Sequence, residues 1–320
     1  MTIRLPARRL TALAAASVLA LSTAPALAQV PDACRAPVFA DVGWTDITAT
    51  TAAVSVVLEA LGYAPEAELL SVPVTYASLA NGDVDVFLGN WMPTMAADIA
   101  PYREAGTVEV LERPNLTGAK YTLAVPAYLA EQGLTTFADI ATFQDQLDGE
   151  IYGIEPGNDG NRLIQSMIDE DMFGLGEFRM VESSEQGMLA QVRRSEARGQ
   201  PIVFLGWEPH PMNANFDLVY LDGGDDVFGP NFGGAEVYTN VRAGLMQECE
   251  NLGALLTNLE FTLAMENEIM GAILDDNQVP EDAARAWLSQ NVDTAVSWVD
   301  GVTTVEGENG ADAVRAALTQ

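Results

Sequence analysis

The chain has 320 residues, of which 48% are hydrophobic and 19% are charged, and its formal net charge is −31. Such acidity argues against nucleic acid and anionic membranes as partners, because both carry phosphate. It favours solubility and attracts small cations, but salt adaptation would produce the same composition, so charge alone does not indicate binding specificity.

The first 28 residues have the pattern of an export signal. Three arginines precede an apolar, alanine-rich stretch at 10–21, and Ala26-Leu27-Ala28 is an A-x-A cleavage site. The apolar stretch is short for a membrane span, and an uncleaved anchor stays open as the alternative. We predict cleavage after Ala28, which leaves an exported protein with 12 basic against 46 acidic residues, a net charge of −34.

Beyond the signal, strand patterns alternate with helical patterns. The first series has strands at 38–42, 69–72, 84–88 and 108–111, an Ala- and Val-rich amphipathic helix at 47–61, and helices at 76–80 and 95–104. The second has strands at 121–125, 151–154, 179–182 and 202–205 and helices at 137–147, 160–169 and 185–198. Strands at 218–221 and 236–241 and a mostly helical tail from 251 follow. This alternation predicts an α/β fold with sheets flanked by helices.

Three of the five tryptophans, Trp44, Trp91 and Trp207, follow predicted strands. Ligands of open α/β sheets bind outside the carboxyl ends of the strands, so these indoles indicate a pocket between two lobes that close by a hinge. Indoles beside a carboxylate suit a quaternary ammonium ion, which has charge but no N–H to donate. Trp287 and Trp298, in the helical tail, are predicted to pack.

Other candidate residues have structural alternatives that stay open. Tyr121 is either a fourth aromatic wall or a packed strand residue. Asp46 is an N-cap of the first helix, a counter-charge for a cation, or both. Asn158 lies in a Gly-Asn-Asp-Gly-Asn segment that either binds ligand or only forms a strand-to-helix turn. His210, between two prolines, is either a ligand donor or structural.

The two cysteines, Cys34 and Cys249, are expected to form a disulfide in an oxidising compartment, with two free thiols as the alternative. They and the single histidine lack zinc-site spacing, and the acidic turn at 222–226 lacks the spacing of an EF-hand. The sequence has no pattern of nucleophilic or metal-assisted catalysis. It therefore predicts no metal, no cofactor and no enzyme.

Four stretches resemble the periplasmic choline-binding proteins of ABC importers, within the glycine betaine/proline betaine substrate-binding family. They are Gly-Trp-Thr-Asp-Ile-Thr at 43–48, Phe-Leu-Gly-Asn-Trp-Met-Pro at 87–93, Gly-Ile-Glu-Pro-Gly-Asn-Asp-Gly-Asn at 153–161 and Phe-Leu-Gly-Trp-Glu-Pro-His-Pro-Met at 204–212. The resemblance implies a type II-like periplasmic binding protein fold of two lobes, each a mixed sheet flanked by helices, with the ligand in the interlobe cleft. After the signal at 1–28, we predict a first lobe from 29–117 and 213–320 and a second lobe at 118–212.

The resemblance also implies roles for single residues. Asp46 would face a trimethylammonium head, Asn158 would partner a hydroxyl, and Cys34 and Cys249 would form the family's disulfide. Four residues match an aromatic box around that head: Trp44, Trp91, Tyr121 and Trp207.

The implied function is a monomeric binding protein that captures choline and delivers it to an ABC permease in the inner membrane. Choline is preferred because the carboxylate of a zwitterion would face Asp46. Glycine betaine and trimethylamine N-oxide stay open as ligands, and a periplasmic enzyme acting on quaternary amines is the rival function.

Overall fold

The computed structural model describes residues 1–3 and 30–319, so the cleavage site and nearly all of the predicted signal lie outside the described residues. In the described part, no helix is long and apolar enough to cross a membrane. The strands are β1 (Val38–Asp41), β2 (Glu66–Leu69), β3 (Val86–Met92), β4 (Val108–Pro126), β5 (Glu150–Tyr152), β6 (Arg179–Val181), β7 (Phe204–Glu208), β8 (Leu218–Tyr220) and β9 (Gly234–Arg242).

Helices lie between these strands and after the last of them. Those before β9 are α1 (Thr45–Ala60), α2 (Val72–Asn81), α3 (Ala96–Ala105), α4 (Ala127–Ala130), α5 (Asp159–Asp169), α6 (Glu185–Arg198), α7 (Met212–Asn215), α8 (Asp225–Phe228) and α9 (Pro230–Gly233). Those after it are α10 (Leu245–Glu248), α11 (Glu250–Asn258), α12 (Leu263–Leu274), α13 (Pro280–Gln290), α14 (Val292–Trp298) and α15 (Gly310–Leu318). Short 3-10 turns occupy Asp32–Cys34, Phe137–Phe143 and Met172–Gly174.

The strands form one mixed sheet in the order β2-β1-β3-β9-β4-β7-β5-β6, with β8 also paired to β4. Parallel pairs lie at its two ends, where β1 pairs with β2 and β3, and β5 pairs with β6 and β7. The central strand β4 has 19 residues. Its first part pairs with β9 and its last part with β7 and β8, so it carries the sheet from one half of the molecule into the other.

Several predicted elements change in extent. The predicted strands at 108–111 and 121–125 are both parts of β4, because pairing with β9 and β7 keeps the intervening backbone extended. The predicted strand at 69–72 is wrong in position. The strand β2 ends at Leu69, and α2 already begins at Val72. All four residues of β2 are exposed at the sheet edge, so hydrophobic alternation could not reveal them.

The first helix, α1, is buried on nearly all sides, so its predicted amphipathic character is wrong. Twelve of its 16 residues are buried. The reason is tertiary, because α12 and α13 from the end of the chain pack over its outer face. Its Ala, Val and Thr side chains are small enough to allow this close helix packing.

A disulfide joins Cys34 to Cys249, as predicted, and both residues are buried. The bond ties the segment before β1 to the start of α11. In the helical tail, Trp298 is fully buried and packs edge-on against Phe261, with ring centroids 5.5 Å apart. The Trp287 indole is half-buried and hydrogen-bonds a nearby glutamate. Both tail tryptophans therefore pack, as predicted.

Candidate functional site

A cavity lies where the two halves of the sheet meet. The three tryptophans Trp44, Trp91 and Trp207 wall it together with Tyr121. The Tyr121 ring centroid is 6.1 Å from that of Trp91 and 6.2 Å from that of Trp207. All six residues predicted from the sequence line this cavity. The full lining is Trp44, Asp46, Trp91, Tyr121, Ile154, Asn158, Asp159 and Trp207.

The aromatic walls are held by regular backbone structure. Trp44 is the N-cap residue of α1. Trp91 pairs with Val237 across β3 and β9, and Trp207 pairs with Tyr121 across β7 and β4. Trp91 and Trp207 thus lie within strands near their carboxyl ends rather than after them, because ladder pairing continues beyond the apolar runs visible in the sequence. Each of these two strands ends at a cis proline peptide bond, Met92-Pro93 after β3 and Glu208-Pro209 after β7.

Asp46 lies in the first turn of α1, where it is 2% exposed. The helix begins two residues earlier than predicted, so Trp44 and not Asp46 occupies the N-cap position, and the N-cap alternative for Asp46 is wrong. Instead, the Trp91 indole Nε1 donates to Asp46 Oδ2 at 3.1 Å. Burial, and then the nearby charge of Glu185, raises the pKa of Asp46 to about 7.

Asn158 caps α5 and also holds Tyr121 in place. Its Oδ1 accepts from the backbone N–H of Asn161 at 3.0 Å and from the Tyr121 hydroxyl at 2.9 Å. Its Nδ2 donates to Asp159 Oδ1 at 3.1 Å. Gly160 is required here because any Cβ would collide with the Tyr121 hydroxyl. Asn158 therefore forms the strand-to-helix turn and also lines the cavity.

Two further carboxyl groups face this region, and sequence reasoning missed both. Asp159 is 1% exposed and lines the cavity, and its Oδ2 has no hydrogen-bond partner among the described residues. Burial raises its pKa to about 6. Glu155 Oε1 accepts from the Trp44 indole at 2.8 Å, and burial raises the pKa of this carboxyl to about 7. Both acids lie in the 153–161 stretch, which was the available signal.

Glu185 and His210 lie behind the aromatic walls, and each is 1% exposed. Glu185 accepts from the backbone N–H of Thr45 at 2.9 Å and from the Thr45 hydroxyl. His210 Nδ1 accepts from the Met212 N–H at 2.9 Å, so its Nε2 carries the proton and donates to Glu185 at 3.3 Å. His210 is absent from the cavity lining, which supports the structural alternative for this residue.

The lining has the chemistry of a cation site. Among the described residues, it includes no Lys, Arg or His side chain, while four aromatic rings and two carboxyl groups face the same space. Ring faces attract a positive charge, and methyl groups pack against them without needing a hydrogen-bond acceptor. Within residues 30–319, no group of three or more His, Cys, Asp or Glu side chains is placed to hold a metal ion.

Comparisons with known proteins agree with this site. A solved ABC-transporter choline binding protein, in complex with choline, is 64% identical, covers 90% of this chain and 99% of that chain, and has a TM-score of 0.88. A structure of an ABC-transporter choline binding protein in an unliganded semi-closed conformation is 63% identical, with coverage of 90% and 100% and a TM-score of 0.83. The glycine betaine/carnitine transport binding protein GbuC of Listeria monocytogenes is 30% identical over 164 residues, which span 51% of this chain and 53% of GbuC.

These similarities confirm the predicted fold, a two-lobe binding protein with mixed sheets flanked by helices. The family described as the substrate binding domain of ABC-type glycine betaine transport systems, OpuAC, matches residues 38–290. The match covers most of the chain and includes every residue that lines the cavity. The chain therefore belongs to the OpuAC family of substrate-binding domains.

Proposed function

We propose that this protein captures choline in the cavity between its lobes and delivers it to an ABC permease in the inner membrane. The strongest support is the cavity lining, where Trp44, Trp91, Tyr121 and Trp207 surround a space that also contains the buried Asp46 carboxyl group. The relatives that are about two-thirds identical are choline-binding proteins, which agrees with this choice of ligand.

The aromatic box can supply a large part of the binding energy for the trimethylammonium head. A desolvated cation–π contact contributes up to about 2 kcal/mol, so three or four contribute up to about 6–8 kcal/mol. The charge of Asp46 adds to this sum, which must provide the roughly 8 kcal/mol of micromolar binding and offset the cost of association. Because Trp91 donates its indole N–H to Asp46, the ring and its carboxyl partner are oriented before ligand arrives.

The hydroxyl end of choline fits Asn158 and Asp159. Asn158 Oδ1 already accepts two hydrogen bonds, so this amide offers the ligand a hydrogen of Nδ2. Asp159 Oδ2 has no partner among the described residues and is suited to accept from the ligand hydroxyl. The carboxylate of glycine betaine would meet the like charges of Asp46 and Asp159 instead. Glycine betaine and trimethylamine N-oxide are the alternative ligands.

The lobe boundaries and the location are part of this proposal. The first lobe comprises 29–117 and 213–320, the second comprises 118–212, and the signal at 1–28 is removed after Ala28. Pairing of β8 with the end of β4, and of Thr136 with Asp222, favours a return to the first lobe later than residue 213. The protein acts as a periplasmic monomer and not as an enzyme.

Titration of the protein from Gln29 onward tests this function. Intrinsic tryptophan fluorescence is followed with choline, acetylcholine, glycine betaine, carnitine and trimethylamine N-oxide. We expect choline to bind most tightly and to be recovered unchanged after long incubation. Tighter binding of glycine betaine would show that it, and not choline, is the preferred ligand. Turnover of choline would show that the protein is an enzyme and not a binding protein.

A further inference from the structure

The N-terminus of α1 receives a cap from a distant part of the chain. The N-cap residue is Trp44, whose side chain makes no capping hydrogen bond. The first N–H groups of a helix need partners, and a carboxylate there also interacts favourably with the helix dipole. The partner is Glu185, 140 residues later, whose Oε2 accepts the Thr45 N–H at 2.9 Å and whose Oε1 accepts the Thr45 hydroxyl. A helix of the first lobe is therefore capped by the second lobe.

Glu185 is itself held in place from behind. The protonated Nε2 of His210 donates to its Oε1 at 3.3 Å. The His210 ring packs edge-on against Trp207 with centroids 5.0 Å apart. Thr45, on the other side, lies between Trp44 and Asp46 in the sequence. The Glu185 carboxylate thus links the backbone next to Trp44 and Asp46 to His210, which packs against Trp207.

We propose that Thr45, Glu185 and His210 form an interlobe latch that sets how long the closed protein retains its ligand. Separation of the lobes removes both Thr45 donors from Glu185 in one step, and uncaps α1 at the same time. This inference rests on the proposed function, because ligand release is its readout. Glu185 is a positioning residue, since it does not line the cavity.

The latch differs from the surface ion pair that also joins the two lobes. Arg162 Nη2 bonds Asp98 Oδ2 at 2.7 Å, but these side chains are 38% and 20% exposed, so salt and water screen the pair. Glu185 and Thr45 are buried, so their hydrogen bonds are not screened in the closed form. Ligand retention through the latch should therefore be insensitive to ionic strength.

The principal test is Glu185→Gln in the full mature protein, with stopped-flow tryptophan fluorescence measuring choline dissociation. Losing charged hydrogen bonds is expected to raise the dissociation rate about tenfold to a hundredfold, with little change in the association rate. The matched control is Glu196→Gln on the same helix, α6. Glu196 accepts from the backbone N–H of Asp217, next to β8 and outside the cavity lining, so this variant should dissociate like wild type.

A second variant separates the latch from a simple charge effect, because the Glu185 charge also acts on Asp46. Thr45→Val removes the hydroxyl donor without changing charge and should raise the dissociation rate severalfold. In the double variant the two effects should combine to less than their product, because both remove the same contact. Effects that multiply fully, or a wild-type dissociation rate in both single variants, would overturn the latch.

A ligand-free measurement separates failure of the latch from failure of the proposed function. Spin labels at the exposed positions Glu68 and Glu177, in the first and second lobes, report the interlobe distance in unliganded protein. Glu185→Gln should shift the distance distribution to larger values relative to Glu196→Gln. If wild type does not bind choline, the proposed function is wrong and this comparison still decides the latch. Identical distributions together with unchanged dissociation refute it.

Discussion

Replacing Asp46 by asparagine removes a negative charge from the cavity while keeping side-chain volume and an acceptor for the Trp91 indole. With choline nitrogen about 5 Å away and an effective dielectric of about 20, the lost attraction is about 3 kcal/mol. That energy corresponds to a dissociation constant raised roughly a hundredfold. Glycine betaine should lose much less, because its carboxylate is relieved of a repulsive neighbour.

The effect of Asp46→Asn depends on pH. Burial raises the pKa of Asp46 from 3.8 to about 7, so below that pH choline must displace a proton from this group. Wild-type affinity for choline should therefore fall by up to about tenfold per pH unit below 7. In Asp46→Asn, choline binding should release one proton fewer, so its affinity should depend less on pH. Glu155 and Asp159 have raised pKa values in the same range and keep a residual dependence in the variant.

Stability should change in the opposite direction to affinity. A carboxyl group with a raised pKa favours the folded state below its unfolded pKa near 4, and this contribution is lost as pH rises through about 7. Unliganded Asp46→Asn protein should therefore have a higher Tm than wild type at about pH 8. Bound choline should reduce this difference in Tm between variant and wild type, because the cation compensates the buried negative charge of Asp46.

Calorimetric titration from about pH 6 to about pH 8, in buffers of different ionisation heat, measures both the affinity and the protons released. The control is Asp282→Asn, an exposed acid of α13 that should behave as wild type. A choline dissociation constant within about threefold of wild type at the higher pH would refute the counter-charge role. Equal losses for choline and glycine betaine would refute it as well.

Three further predictions follow from the same contacts. Trp91→Leu should raise the choline dissociation constant, measured by calorimetry, about thirtyfold. The matched control Trp287→Leu should leave it unaltered. Equal choline binding by both variants would show that the aromatic box is misassigned. Asp159→Asn should lower the ratio of choline to tetramethylammonium affinity about tenfold, since only choline has a hydroxyl, and equal weakening of both ligands would contradict this role. Joint replacement of Cys34 and Cys249 by serine should lower the free energy of unfolding, measured in urea, by about 2–5 kcal/mol. Choline affinity should not change. Weaker choline binding at unchanged stability would contradict a purely structural role for the disulfide.

The aromatic residues of the cavity could be predicted because their signals are local. Glycine, an indole and a proline or polar turn at the end of a strand are visible in a few consecutive residues, as at Trp91 and Trp207. Sheet topology then brings strand ends together, so three such motifs predict one pocket. The signals for the two ends of α6 were equally local, since Ser184 caps this helix and Gly199 ends it with a φ of 61°.

The buried acids could not be predicted for a physical reason. The chain has 46 acidic residues, and nothing in the immediate sequence distinguishes Glu185 from a solvated acid. Glu155 and Asp159 lie in the recognisable 153–161 stretch, but that stretch does not show which of its acids are buried. Their burial comes from the meeting of two lobes distant in sequence, which also accounts for the trans-lobe cap of α1. The same limit applies to β4, whose continuous extension depends on pairing with β9 and β7.

The most direct test of the cation site compares choline with its neutral carbon isostere, 3,3-dimethylbutan-1-ol, by competition calorimetry on the mature protein. The two ligands share shape, methyl groups and hydroxyl, and differ in the positive charge. If Trp44, Trp91, Tyr121, Trp207 and Asp46 bind a cation, the isostere should bind at least about a hundredfold more weakly. Comparable affinities would show that the cavity recognises apolar shape alone and would contradict the proposed choline site.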